Sequence, residues 1–331
     1  MKNKIIIIAE AGGNHNGSLK KAYKLVDIAK KAGADYVKFQ TFKAETLVSK
    51  NAPKAKYQKK NVKKISHYEL IKKLEMSYNM HIKIIKYCKQ KRIKFLSSPF
   101  CIDSFDLLRK FNLDFIKIPS GEITNLPLLR HIRNFNNNII LSTGMSNVHE
   151  IKNALKILKN KNRKIILLHC NTEYPTPLDD INLNAMQILN KQFKLDVGYS
   201  DHSLGIQVPI IAASLGAKVI EKHFTISKKM VGPDHVASLN PKELISMVKA
   251  IRSTEIILGK GKKFVSKSEK KNILIARKSL FAAYDIKKGE KFSLLNLVCL
   301  RPGSGISPIN IDKVIGRKAK KTFSKGQLIK I

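Results

Sequence analysis

The stretches 195-LDVGYSDH-202 and 219-VIEKHFT-225 decide the fold that we expect for this chain. Each is a short apolar run that ends in polar, chemically useful residues. Six similar runs precede them: KIIIIAEAG (4–12), DYVKFQT (35–41), IKFLSSPF (93–100), FIKIPSGE (115–122), IILSTG (139–144) and IILLHC (165–170). Continuous apolar runs of this length are typical of parallel strands buried on both faces. Eight of them predict a (β/α)8 barrel, with a functional site where their C-terminal ends meet.

The segments between the runs show a helical period of apolar residues. They predict helices over residues 19–32, 68–91, 103–111, 148–159, 206–215 and 241–258. Gly33 follows the first of these and is typical of a helix C-terminus. The connection 42–66 lacks a clean period, and we expect a long loop there that forms a lid or a substrate wall.

The length of 331 residues exceeds the roughly 250 residues of one such barrel, so we expect a second small domain. The barrel is predicted over 1–258, and the Gly/Lys/Ser-rich composition after it predicts a linker over 259–276. Short β-like pieces broken by KKGE and PGSG turns predict a compact, mostly-β domain over 277–331.

Composition excludes several classes of protein. The hydrophobic content of 43% argues against disorder. The four cysteines form no C-x-x-C pair, which disfavours a zinc ribbon or a disulfide framework and fits a cytoplasmic location. No apolar run approaches the ~20 residues that span a bilayer, so we expect no membrane partner.

The net charge of +39 points superficially to nucleic acid. However, the excess is almost all lysine, it is spread along the whole chain, and tryptophan is absent. We therefore expect a lysine-rich, solvated surface and no specific nucleic-acid partner, and keep a basic nucleic-acid-binding protein only as a remote alternative.

Two histidines, His202 and His223, end the two runs quoted first. Adjacent strands lie about 4.8 Å apart, so both imidazoles can converge on one divalent cation, although each alone would more often cap its strand. With oxygen ligands or water completing the shell, Mn²⁺ or Mg²⁺ is as plausible as Zn²⁺.

Hydrogen-bond donors end several other runs. Lysine, amide and hydroxyl side chains at one rim suit a phosphate or a carboxylate; they are Lys38, Gln40, Ser98, Lys117, Ser120, Ser142 and Ser200. Glu10, Glu122 and Asp234 are candidate acid/base groups or hydroxyl binders, the alternative being ordinary ion pairs among so many lysines. The motif GPDH (232–235) predicts a turn with an exposed Asp and His.

These motifs together resemble the bacterial sialic acid synthase family. AEAGGNHNG, VKFQTF, SSPF, KIPSGE, LSTGMS, LLHCNTEYPTP, GYSDHS, EKHFT and GPDH occur in order, and RKSL, DIKKGE and RPGSGIS are similar to its C-terminal antifreeze-like (SAF) domain. The resemblance covers essentially the whole chain. It implies a transferase that condenses phosphoenolpyruvate with an N-acylated aminosugar of the mannosamine type, for surface glycan biosynthesis.

The resemblance also implies residue roles. His202 and His223 are the expected metal ligands, and the metal would polarise the sugar aldehyde. The donor set above, with Thr172 as a weaker candidate, is expected to bind phosphoenolpyruvate, and Glu122 to manage water or proton transfer. Glu10, Tyr174 and Asp234 are expected to contact the sugar. Arg301 is expected to touch the sugar's acyl group in trans, within a domain-swapped homodimer.

The acceptor sugar is left open by the motifs. N-acetylmannosamine, giving N-acetylneuraminate, is the first expectation. The alternative is 2,4-diacetamido-2,4,6-trideoxymannose, giving N,N'-diacetyllegionaminate, because the second strand is similar to both groups of synthases. Pseudaminic acid synthases rank third.

Overall fold

The structure is a computed structural model that describes residues 4–62, 65–160, 162–259 and 261–331. It divides into two compact units, residues 1–259 and 260–331. No helix in the described ranges is long and apolar enough to cross a membrane.

The first unit is built on eight parallel strands. They are β1 (Ile6–Glu10), β2 (Tyr36–Thr41), β3 (Lys94–Pro99), β4 (Ile116–Ile118), β5 (Ile139–Ser142), β6 (Ile165–Cys170), β7 (Asp196–Asp201) and β8 (Val219–His223). Their order is β3-β2-β1-β8-β7-β6-β5-β4. The end strands β3 and β4 also lie side by side, but no ladder joins them in the part of the chain that the structure describes. The predicted (β/α)8 barrel is confirmed, with this one unpaired seam.

Eleven helices of this unit are described between and after the strands. They are α1 (Leu19–Ala32), α2 (Ala44–Leu47), α3 (Lys56–Asn61), α4 (His67–Leu74), α5 (Tyr78–Lys91), α6 (Ile102–Arg109), α7 (Leu126–Arg133), α8 (Val148–Leu158), α9 (Ala185–Phe193), α10 (Gln207–Ser214) and α11 (Pro241–Ile257). In α1 the Ser18 hydroxyl accepts from the Lys21 amide, and Gly33 ends the helix at φ +81°. Only glycine adopts that conformation without strain.

Two expectations for the β2–β3 connection differ from the structure. The helix predicted over 68–91 is two helices, α4 and α5, because the chain turns at Glu75 and Ser77 caps α5 by accepting from the Met80 amide. The expected loop 42–66 contains the short helices α2 and α3, which are too short to show a helical period; residues 63–64 lie outside the described ranges.

The second unit contains α12 (Lys270–Ala276), within the segment predicted as a linker, and the antiparallel strands β9 (Ser279–Ala282) and β10 (Leu297–Leu300). Isolated bridges such as Ile286–Phe323 extend the pairing. Its core is small and separate, built around Leu280, Phe292 and Phe323.

Candidate active site at the C-terminal rim of the barrel

The interior of the barrel leads directly into the candidate site. Successive side chains of a strand point to opposite faces, so residues two apart share a face. One cluster of buried apolar side chains fills the barrel interior: Ile8, Tyr36, Leu96, Phe115, Ile140, Ile166, Leu168 and Val219. Two residues further along the same strands stand Glu10, Lys38, Ser98, Lys117, Ser142, Cys170 and Glu221, and all of these line one cavity. The inward-facing side chains are therefore apolar in the barrel interior and mostly polar at its C-terminal end, where the cavity lies.

Four buried charges meet in this cavity. Lys38 Nζ lies 2.9 Å from Glu10 Oε2 and 3.6 Å from Glu221 Oε2, and Lys117 Nζ lies 3.4 Å from Glu221 Oε1. All four side chains are almost fully buried. Buried charges are tolerated only when they are paired, and here two ammonium groups face two carboxyl groups.

The two carboxyl groups respond to burial differently. Burial raises the pKa of Glu10 to about 7 against the opposing charge of Lys38. Burial also opposes the charge of Glu221, but Lys117 and Lys38 together outweigh it and lower the pKa of Glu221 to about 2. Two carboxylates that share Lys38 repel each other, so one of them takes up a proton more readily. At neutral pH the cluster thus holds a firmly ionised Glu221 and a Glu10 that can exchange a proton.

The pKa values of the two lysines shift in opposite directions. Burial favours the neutral amine of Lys38, yet Glu10 and Glu221 outweigh it and raise the pKa of Lys38. For Lys117 burial is the larger effect and lowers its pKa, although Glu221 offsets part of it. Glu221 is consequently the group that most strongly opposes the lowering of the Lys117 pKa by burial.

Hydroxyl groups complete the surroundings of the lysines. Lys38 Nζ donates to Ser98 Oγ at 3.1 Å, and Lys117 Nζ donates to Ser142 Oγ at 2.7 Å. Ser200 Oγ donates to Glu221 Oε1 at 2.9 Å. Ammonium and hydroxyl donors so arranged match the oxygens of a phosphate or a carboxylate.

The two histidines stand at the β7–β8 side, with ring centroids 5.5 Å apart. His202 Nδ1 lies 2.5 Å from the carbonyl oxygen of Asn171, which can only accept, so Nδ1 carries the proton. His202 Nε2 then presents its lone pair and accepts from the Tyr174 hydroxyl at 2.9 Å. His223 Nδ1 is buried without a hydrogen-bond partner in the described ranges.

These imidazoles fit a divalent cation. Burial lowers the pKa of His202 to about 4 and that of His223 well below its ordinary value, so both rings are neutral, the form that binds metal. A histidine that ligates a metal usually donates its other ring N–H to a backbone carbonyl or a carboxylate, as His202 Nδ1 does to Asn171. Within residues 4–62, 65–160, 162–259 and 261–331, no three His, Cys, Asp or Glu side chains form a complete metal site. A cation here would keep positions open for water or substrate.

Aromatic and acidic groups form the other side of the cavity. The ring of Tyr57, from α3, stacks on Tyr174 with centroids 5.1 Å apart. Asp234 lies nearby, and burial raises its pKa to about 6. Gln40 Nε2 donates to Glu10 Oε1 at 3.3 Å. This side offers hydroxyl, amide and carboxyl groups to a polyhydroxylated ligand.

The structure brings most of the predicted site residues together. Those that line the cavity are Glu10, Lys38, Gln40, Ser98, Lys117, Ser120, Ser142, Thr172, Tyr174, Ser200, His202, His223 and Asp234. Glu122 is outside this lining; it follows β4, where its Oε2 accepts from Asn125 Nδ2 at 2.6 Å. Arg301 belongs to the second unit, where its Nε donates to the carbonyl of Ala276. The catalytic and binding roles of all these residues stay predictions.

Glu221 and Tyr57 are among the cavity-lining residues that were missed from the sequence, and one expectation was wrong. Glu221 precedes His223 by two positions on β8, and that spacing was the available signal. Tyr57 lies in the segment expected to be a loop, where no period marked it. The predicted exposure of His235 is wrong: it is fully buried, and Nδ1 pairs with the Thr225 hydroxyl at 2.6 Å.

Comparison with known proteins matches the two units of the chain to two family models. A model of the NeuB family matches residues 25–263, and a model of the SAF domain matches residues 277–331. The N,N'-diacetyllegionaminic acid synthase of Campylobacter jejuni is 52% identical over 331 residues, which is 99% of each chain. The Legionella pneumophila protein of the same name is 44% identical, over 97% of this chain and 92% of that relative.

A solved structure also matches. The crystal structure of N-acetylneuraminic acid (sialic acid) synthetase from Leptospira borgpetersenii, in complex with citrate, has a TM-score of 0.72 and 34% identity. The match covers 82% of this chain and 90% of that chain. The resemblance inferred from the motifs and the SAF identity of the second unit are thereby confirmed.

Proposed function

Because the chain belongs to the NeuB family, we propose that it is an N,N'-diacetyllegionaminate synthase. It would join phosphoenolpyruvate, 2,4-diacetamido-2,4,6-trideoxymannose and water, and release phosphate. The observation that carries this choice is the 52% identity, along 99% of both chains, to a relative that bears that name. N-acetylmannosamine, the first expectation from the motifs, has weaker support, because the sialic acid synthetase structure shares 34% identity.

Phosphoenolpyruvate carries a phosphate and a carboxylate, and the lysine–serine pairs are suited to both. Lys38 with Ser98 and Lys117 with Ser142 supply ammonium and hydroxyl donors a few ångströms apart. The pocket is buried, so these interactions are strong once the ligand has displaced water. Glu221 pairs with both lysines and shifts the pKa of each toward the charged form.

The acceptor sugar would lie between the histidines and the aromatic side of the cavity. Tyr174, stacked on Tyr57, and Asp234 would position its hydroxyl and amide groups. His202 and His223 would hold a Mn²⁺ or Mg²⁺ ion, which when bound supplies Lewis acidity to the sugar aldehyde.

The proposed chemistry balances with one water molecule. C3 of phosphoenolpyruvate forms a carbon–carbon bond to the aldehyde carbon, whose oxygen gains a proton. Water adds at C2, and its oxygen is retained as the phosphate group leaves. Glu10 is our candidate for the proton donor, because its pKa of about 7 allows it to donate at neutral pH.

The test is direct. Purified protein is incubated with phosphoenolpyruvate, Mn²⁺ and either sugar, while phosphate release and product mass are measured. We expect N,N'-diacetyllegionaminate and a higher kcat/KM for the trideoxy sugar. A higher kcat/KM for N-acetylmannosamine would overturn the choice of acceptor, and no product with either sugar would overturn the proposed function.

The homodimer and the role of Arg301 stay predictions that rest on the family resemblance. We expect Arg301→Ala to raise the KM for the acceptor and to leave the KM for phosphoenolpyruvate nearly unchanged. Steady-state kinetics with each substrate varied in turn measure both constants. Equal effects on the two constants would contradict a contact with the acyl group.

A further inference from the structure

One side of the active-site cavity is apolar. Five cavity-lining residues beyond the C-terminal ends of β2 and β3 form what we call the apolar wall: Phe42, Leu47, Ile71, Leu74 and Phe100. They belong to one hydrophobic cluster, separate from the barrel core. None of these side chains carries a hydrogen-bonding group. An apolar ligand group that contacts them therefore binds favourably, because it leaves water. A hydroxyl group in the same place would lose its hydrogen bonds to water without finding new partners.

The apolar wall is held by specific contacts. The rings of Phe42 and Phe100 pack edge to face with centroids 5.8 Å apart. The carboxylate of Glu75, just after α4, accepts from the Ala44 amide at 2.7 Å and so ties α4 to α2. Leu74 packs so closely on Gly13 that a Cβ there would lie 3.1 Å from Leu74 Cδ1. These contacts preorganise the surface before any ligand binds.

The position of the wall indicates which part of the acceptor it meets. His223 ends β8 and His202 directly follows β7, and the lysines of the same cavity bind phosphoenolpyruvate in the proposed function. The reacting end of the sugar, C1, must lie there. Glu10 and Gln40, on β1 and β2, stand between the histidines and the wall in the order of the strands. An open-chain sugar that begins at the histidines and crosses Glu10 presents its far end, C6, to the wall.

We propose that the apolar wall binds the C6 methyl group of the acceptor and selects 6-deoxy sugars over sugars with a C6 hydroxymethyl group. This inference rests on the proposed function, because it takes C1 to react beside the histidines. Moving one methyl-sized group from water to an apolar surface strengthens binding about fourfold. A hydroxyl in its place would lose its hydrogen bonds to water, and such pockets discriminate by roughly 10- to 200-fold.

The experiment compares two acceptors that differ only at C6. They are 2,4-diacetamido-2,4,6-trideoxymannose and 2,4-diacetamido-2,4-dideoxymannose, each with saturating phosphoenolpyruvate and Mn²⁺. For the wild-type protein we expect kcat/KM to be at least about tenfold higher for the 6-deoxy sugar. Equal values would overturn the inference while leaving the proposed synthase activity intact.

Variants of the apolar wall test whether these residues cause the preference for the 6-deoxy acceptor. Ile71→Thr keeps the branched shape but adds a hydroxyl, and we expect it to lower the ratio of the two kcat/KM values about fourfold or more, with the KM for phosphoenolpyruvate unchanged. The matched control is Ile82→Thr, the same change at a residue of α5 that is 41% exposed and outside the cavity. The control should keep the wild-type ratio.

The outcomes separate the inference from the proposed function. Leu47→Thr tests the wall from α2 if Ile71→Thr does not fold, as judged by circular dichroism. A ratio that stays at the wild-type value in the folded wall variants would overturn the inference alone. Turnover of N-acetylmannosamine but of neither diacetamido sugar would overturn the inference and the proposed acceptor together.

Discussion

At the scale of single residues, the site depends on how two carboxyl groups share two lysines. Glu221 contacts both Lys38 and Lys117, whereas Glu10 contacts Lys38 alone. That difference in partners explains why Glu221 stays ionised while Glu10 has a pKa of about 7. When an anionic ligand binds beside Lys38, its negative charge should raise the pKa of Glu10 further, so that a larger fraction of Glu10 is protonated.

The first prediction is proton uptake on binding phosphoenolpyruvate. At pH 8, where the free ligand is fully ionised, Glu10 is largely deprotonated in the free protein, and we expect uptake of about 0.5–1 proton as its pKa rises. Isothermal titration calorimetry in buffers of different ionisation enthalpy measures this number. Glu10→Gln is the control and should show little uptake. Uptake of the same size in Glu10→Gln would contradict the assignment.

The second prediction concerns the pH dependence of stability through Asp234. Burial raises its pKa from 3.8 to about 6, so the folded protein binds this proton more tightly than the unfolded chain does. The resulting destabilisation is absent below pH 4, grows as the pH rises through 4–6, and is complete above 6, reaching about 3 kcal/mol at most. Asp234→Asn should therefore gain stability relative to the wild type between pH 4 and 7.

Denaturant unfolding at several pH values checks this prediction. The same substitution at the exposed Asp179 is the control. A stability difference between Asp234→Asn and the wild type that stays constant from pH 4 to 7 would show that the charge of Asp234 costs nothing in the fold. A half-buried carboxyl group kept at such a cost is typical of a binding site.

At the scale of strands and helices, the alternation of side chains explains what could be predicted. An apolar run that ends in polar residues marks a buried strand and its rim, which is why most of the polar lining residues were found without a structure. The distances between rim residues could not be predicted, because they depend on how the strands are arranged around the barrel. For that reason Glu122 was selected, although the structure turns it toward Asn125.

The helices were predicted where their period was long and uninterrupted. The match for α1 is complete because Ser18 and Gly33 mark both ends. The β2–β3 connection was not predictable in detail, since α2 and α3 are shorter than two helical turns. Tertiary contacts such as Glu75 to the Ala44 amide, which are invisible in a local pattern, hold them in place.

The third prediction concerns an ion pair on the outer face of β7 and β8. Lys222 and Asp201 are fully buried and bonded to each other, and Asp201 also accepts from the Ser203 amide at 2.9 Å. The pair joins the strands that carry the two histidines. Lys222→Met leaves the Asp201 charge buried without a partner, and we expect a loss of about 3–5 kcal/mol of stability.

Urea unfolding measures this loss. The control is Lys164→Met, which breaks the exposed pair with Asp196 and should cost about 1 kcal/mol or less. Adding Asp201→Asn to Lys222→Met removes the buried charge and should restore part of the stability. Losses of similar size in Lys222→Met and Lys164→Met would contradict a structural role for the buried pair.

At the scale of the whole chain, the net charge of +39 affects an anionic substrate and a neutral one differently. The fourth prediction is that kcat/KM for phosphoenolpyruvate falls with salt, because screening weakens long-range attraction; the Debye length drops from about 30 Å at 0.01 M to about 10 Å at 0.1 M. The uncharged acceptor is the internal control. Steady-state kinetics over this range should show a much weaker dependence for the sugar, and equal dependence would argue against steering.

The seam between β3 and β4 has a consequence for the integrity of the barrel. Because no ladder joins these strands in the described ranges, their facing amides are not paired with each other across the seam. Lys38 and Ser98 stand on one side of the seam, and Lys117 and Ser142 stand on the other. A ligand that binds both lysines would bridge the gap and slow hydrogen exchange in β3 and β4. Phosphoenolpyruvate would then serve as the cross-link that the backbone lacks there.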